Sequence, residues 1–271
     1  MRVRIIIALI FIFMVIIIGF LILKSKKSSV SIEEKEEIPI DISLRYIQGV
    51  DGHSSLIILH LFSRQMLQKE IDNKILHREE EIKPLVISYP ENFWKENVVF
   101  LVSEKGGSEY RKLERGVQLV KAPEETRLTI APGKLYEAVY KVLPTVTLQP
   151  GDRLRAEMIL HRQIVRSDEV EIPTPPTGKK EKLIQKAKIF AHSGENEKLL
   201  STAEELISFA PNDPSGYWFK GMALENKEDY KSAISVYEQA LKKYQKLAPG
   251  EHFEPPMLLV EKIRVLKKKF K

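Results

Sequence analysis

Residues 5–23 read IIIALIFIFMVIIIGFLIL, an uncharged and almost wholly apolar run, and this run constrains the chain more than any other feature. As an α-helix it would span about 28 Å, close to the thickness of a bilayer's hydrocarbon core. Each central Ile, Leu, Phe or Val favours insertion by roughly 0.3–0.6 kcal/mol. The alternative is a cleaved signal peptide, whose apolar core is usually about 7–15 residues and whose end carries a small-x-small site. Here the run is longer, and Lys-Ser-Lys-Lys follows it. The residues therefore predict an uncleaved single-pass anchor at 1–23, with the lipid bilayer as one partner. Arg2 and Arg4 precede the run and Lys24, Lys26 and Lys27 follow it, so the positive-inside signal nearly cancels. The short lead and the large C-terminal body predict a cytoplasmic N-terminus and a periplasmic or extracytoplasmic body. Residues 24–37 are polar and charged, and read as a spacer.

The whole chain has 271 residues, 43% hydrophobic and 30% charged, a composition that favours packed domains over disorder. The net charge of +6 comes largely from the lysines and arginines beside the apolar run and from Lys267, Lys268, Lys269 and Lys271. Nucleic-acid binding is therefore not expected. The absence of cysteine excludes disulfides, thiolate metal sites and cysteine nucleophiles.

Between residues 38 and 173 the apolar period is near two. Ile40, Ile42, Leu44 and Tyr46 alternate with Asp41, Ser43 and Arg45, the pattern of a half-buried strand. Further strands are predicted at 56–62, 83–88, 98–103, 117–120, 126–130, 135–143, 153–161 and 169–172, and 65–78 could hold a short helix. Gly49, Asp51-Gly52, Gly106-Gly107, Pro132-Gly133 and Pro150-Gly151-Asp152 supply the turns. Many short strands with regular turns predict an antiparallel β-sandwich. Leu148-Gln-Pro-Gly-Asp-Arg-Leu-Arg-Ala-Glu, then Ser167-Asp-Glu-Val-Glu-Ile-Pro, resembles the last two strands of bacterial immunoglobulin-like domains. That resemblance implies a module that binds proteins or spaces them. Residues 174–180 (TPPTGKK), rich in proline, read as a stiff linker.

From 181 to 271 the period becomes 3.6. Tyr217, Gly221, Leu224, Tyr230, Ala233, Tyr237 and Ala240 are spaced as small and large residues would be across two antiparallel helices. This stretch resembles a tetratricopeptide repeat, departing from it at Leu224 and Gln245. One period earlier, Ala187, Phe190, Gly194, Leu199, Ala203, Leu206 and Pro211 form a weaker second copy. A cap is then needed, and Leu258, Leu259, Ile263 and Leu266 after Pro255-Pro256 would supply it. The expected fold is multidomain: transmembrane helix, immunoglobulin-like β-sandwich, then all-α helical repeats with a capping helix.

The repeat resemblance implies protein or peptide binding on a concave face carrying Ile184, Lys188, His192, Trp218, Met222, Glu225 and Asn226. Trp218 has two readings, an exposed anchor in the groove or a core side chain. The histidines form no HExxH, no Gly-x-Ser-x-Gly occurs, and Gly106-Gly107 lacks the Lys-Ser of a phosphate loop. No catalytic residue, metal or cofactor is expected. The predicted function is a membrane-anchored, non-enzymatic scaffold or adaptor. The alternatives are a permanent subunit of an envelope assembly and, third, a hydrolase.

Overall fold

Strand β2 (Leu56–Phe62, LIILHLF) is buried at every position except the half-covered His60 and Phe62. A strand this apolar needs cover on both faces, and that requirement organises the architecture. The computed structural model describes residues 40–77, 81–113, 115–160, 163–246 and 256–269, all within the compact unit Pro39–Lys271.

The first sheet has the order β1-β2-β8-β6, all antiparallel, with β1 at Asp41–Ile47, β6 at Val117–Lys121 and β8 at Tyr136–Val142. The second contains β10 (Gln163–Arg166), β9 (Arg153–Leu160), β4 (Val98–Ser103) and β5 (Arg111–Lys112) in that order, with β11 (Val170–Glu171) also on β9. A small third sheet pairs β3 (Leu85–Ser88) with β7 (Arg127–Ile130).

Register separates the two faces of the first sheet. Leu44 lies opposite Leu59, and Leu59 opposite Ala138; Tyr46 lies opposite Ile57, and Ile57 opposite Tyr140. This face meets the second sheet, where the Phe100 ring packs edge-on to Tyr140 at 4.8 Å. The Tyr140 hydroxyl donates to the Trp94 carbonyl at 2.6 Å, tying in the short helix α2 (Phe93–Glu96), which follows α1 (Arg64–Ile75) in the chain.

The opposite face carries Ile47, Leu56, Ile58 and Val139, and these share one hydrophobic cluster with the helices. Those helices are α3 (Lys179–Ser193), α4 (Asn196–Phe209), α5 (Pro214–Asn226), α6 (Tyr230–Tyr244) and α7 (Pro256–Lys269). Helix α3 ends on Gly194, whose φ of 78° suits glycine. Helix α5 starts with Asp213 accepting from the Ser215 amide at 2.9 Å and Pro214 in its first turn. Gly221 sits directly under the Tyr237 ring, so the small residue lets α5 and α6 approach closely. Leu259, Ile263 and Leu266 of α7 are buried, but Leu258 faces outward, half exposed.

The described residues thus form a mixed α/β fold with antiparallel sheets, which corrects the expected immunoglobulin-like sandwich followed by all-α tetratricopeptide repeats. Periodicity identifies which residues of an element face one way. It does not say which layers share a core, and here the helices and the first sheet do. Among the described residues no helix is long and apolar enough to cross a membrane. The described residues therefore give no support to the expected transmembrane anchor or to a single-pass protein with a periplasmic body. The run at 5–23, the spacer at 24–37 and His161 lie outside the described residues.

Candidate functional site

Most of the expected groove residues are engaged inside the fold. Trp218 is only 6% exposed, and its ring lies 5.7 Å from that of Tyr237, so it is a core side chain. Glu225 accepts from the Tyr237 hydroxyl at 2.7 Å and pairs with Lys262 of α7 at 3.0 Å. The exposed Asn226 donates to Asn196 at 2.8 Å. Ile184 and Met222 are partly buried against the core, and Lys188 is half-buried.

His192 reaches the sheet. Its Nδ1 lies 3.3 Å from Glu137 Oε2 on β8, and His60 Nε2 on β2 lies 3.4 Å from the same oxygen. His60 and Glu137 are direct cross-strand neighbours on the helix-facing side, which explains two polar residues in otherwise apolar strands. Burial alone would raise the Glu137 pKa, but hydrogen bonds and charge from His192 and His60 outweigh it and hold the carboxyl well below its usual range. No group of three or more His, Cys, Asp or Glu among the described residues could hold a metal ion.

The open surface lies on the other flank of α3. The β1–β2 connection there is shaped by polar contacts: the Tyr46 hydroxyl donates to Ser55 Oγ at 2.7 Å and the Gly49 amide to the same oxygen at 2.8 Å. Gly49 has no room for a Cβ, which would strike the His53 carbonyl. This fixes Asp51 and His53 against α3. Asp51 pairs with Lys186 at 2.9 Å and Lys182 at 3.7 Å. The His53 ring meets the edge of Phe190 at 5.0 Å.

Two recesses open beside these contacts. One, of about 410 Å³, is bounded by His53, Phe190, Lys198, Ser201 and Thr202. The other, of about 350 Å³, is bounded by Asp51, Thr177, Lys179, Lys182 and Leu183. Lys186 and Glu205 border both, so the two form a trough along α3 and α4. Its walls alternate cations and carboxylates over a floor with aromatic and aliphatic parts, so it can offer hydrogen bonds and ion pairs to an extended chain. The Lys186 hydrogen bond is the main reason the Asp51 carboxyl is held below its usual range, with Lys182 adding to it.

Of these residues, the sequence marks Gly49 and Asp51-Gly52 as turns and Phe190 as a helical position, and it places Thr177 and Lys179 in a linker, whereas Lys179 opens α3. The available signal was the lysine spacing at 179, 182 and 186, which places three cations along one side of a helix. No protein-family model matches the chain, and no curated protein matches it.

Proposed function

We propose that this chain is a non-enzymatic protein-binding module that takes an extended segment of a partner in the trough along α3 and α4. The observation that carries this reading is the pair of adjoining recesses sharing Lys186 and Glu205, with charged walls over Phe190 and Leu183. Such a surface offers a partner's backbone and side chains hydrogen bonds and ion pairs. Exposed Ser201 lies on its wall, and exposed Gln118 lies far off in sequence on the edge strand β6. A photo-crosslinker at Ser201 of the full-length chain should trap a partner that the same group at Gln118 does not. Lys186→Glu with Glu205→Lys should abolish the crosslink. Equal trapping at both positions, or insensitivity to the charge changes, would overturn the assignment.

A second reading, a permanent subunit of a larger assembly, is supported by α1. That helix has no buried residue, and Leu67, Ile71 and Ile75 form an exposed apolar stripe at four-residue spacing. Obligate co-purification of the full chain with another subunit, lost in Ile71→Lys, would favour this reading over the first.

A further inference from the structure

We infer that the trough recognises a carboxylate-bearing, acidic peptide through Lys182 and Lys186, and that Asp51 is a built-in competitor for that seat. The inference rests on the partner-binding reading above. The structure already displays the chemistry, because the Asp51 carboxylate sits between the two ammonium groups, at 2.9 Å from Lys186 and 3.7 Å from Lys182. It is a stand-in, carried by the chain itself, for the group the seat accepts.

Charge balance supports a further anion there. The other trough cations have their own acids: Lys179 pairs with Glu205 at 3.3 Å and Lys198 with Glu195 at 2.5 Å. Glu197, on the same wall, pairs with Lys227, the residue that caps the end of α5, at 2.6 Å. Lys182 and Lys186 share one carboxylate, so the seat carries one positive charge in excess with Asp51 in place and two when Asp51 swings away. The Asp51 side chain is 40% exposed. An ion pair that open to water is weak, so an incoming carboxylate displaces it at little cost. Asp51 also sits at a φ of 49°, in the left-handed region, and is followed by Gly52 at 81°. This turn aims the carboxylate at α3 and leaves its side chain free to rotate away without unseating Val50, which is buried in the core.

Leu183 and Phe190 are buried beneath this seat, Phe190 against the edge-on His53 ring, so the peptide is recognised by charge and not by apolar contact.

The test is fluorescence anisotropy of a fluorescein-labelled hexaglutamate peptide with the full-length chain at low salt, circular dichroism confirming that each variant is folded. Asp51→Asn should bind about threefold tighter than the parent, the scale of one exposed ion pair. Lys182→Ala with Lys186→Ala should bind about tenfold more weakly, and a hexaglutamine peptide should not bind. Unchanged or weaker binding by Asp51→Asn would overturn the inference, as would parent-like binding by the double lysine variant. A single-stranded oligonucleotide that binds more tightly than hexaglutamate would overturn it in favour of a phosphate ligand. If the Ser201 crosslink persists while Asp51→Asn changes nothing, the competitor fails and the partner-binding reading stands.

Discussion

Glu137 Oε2 on β8 stands 3.3 Å from His192 Nδ1 near the end of α3, and this pair fastens the helical layer to the first sheet. At the other end of α3, Asp51 holds Lys182 and Lys186. A half-buried His192–Glu137 contact near one end and an exposed ion-pair cluster toward the other thus border the helix, with Leu183, Ala187 and Phe190 buried between them. Any ligand in the trough meets a helix whose position is set by the sheet beneath it.

Glu137→Gln should therefore lower stability by about 1–2 kcal/mol at pH 7, because two half-buried imidazoles lose a charged acceptor. The folded carboxyl titrates below its ordinary, unfolded value of about 4.3. Its stabilisation is then full above that value and is lost as pH falls through the lower, folded one. Urea midpoints of parent and variant should differ most near neutrality and converge at strongly acidic pH. A gap that widens on acidification would contradict this.

Gly221→Ala should cost about 1–3 kcal/mol, because a methyl there is driven into the fully buried Tyr237 ring. Thermal melting would show a drop of several degrees. Helix propensity acts the other way, favouring alanine by about 0.8–1 kcal/mol, so a net loss reports the fit against Tyr237.

Asp213→Ala removes the side-chain cap of α5 and the partner of Lys180 at 3.2 Å. The expected loss is about 1 kcal/mol. Asp213→Asn should recover most of it, since an amide oxygen can still accept from Ser215. Burial would raise the Asp213 carboxyl, but the Ser215 hydrogen bonds and Lys180 together bring it below its usual range. The cap's contribution from the charged form is thus present above the ordinary aspartate value and fades below it.

Much of the local structure was legible. The predicted strands at 56–62 and 98–103 coincide with β2 and β4, because apolar runs bounded by turn residues have few other conformations. Gly221 opposite Tyr237 was legible as a small–large pair across two helices. The strand β5 at Arg111–Lys112 was not, since two exposed charged residues carry no apolar signal. Nor was β10, an edge strand with only alternate partial burial. The layer order was hidden for a different reason. His60 and Glu137 look like stray polar residues in their own strands, and only the pairing of β2 with β8 and the approach of α3 make them one contact. The trough was hidden likewise, because Asp51 and Lys186 lie far apart in sequence and meet only in the folded chain.

The strand covered on both faces has one more consequence. Ile57 and Leu59 of β2 belong to the space between the sheets, while Leu56 and Ile58 belong to the space under the helices, so neither space survives the loss of the other. Residues 40–269 should melt in a single calorimetric transition, with the van't Hoff and calorimetric enthalpies equal. Two resolved transitions would show that the layers unfold separately. Proteolytic cutting in the proline-rich stretch at 173–176 should likewise leave the two fragments associated, each completing the other, and not release independent modules.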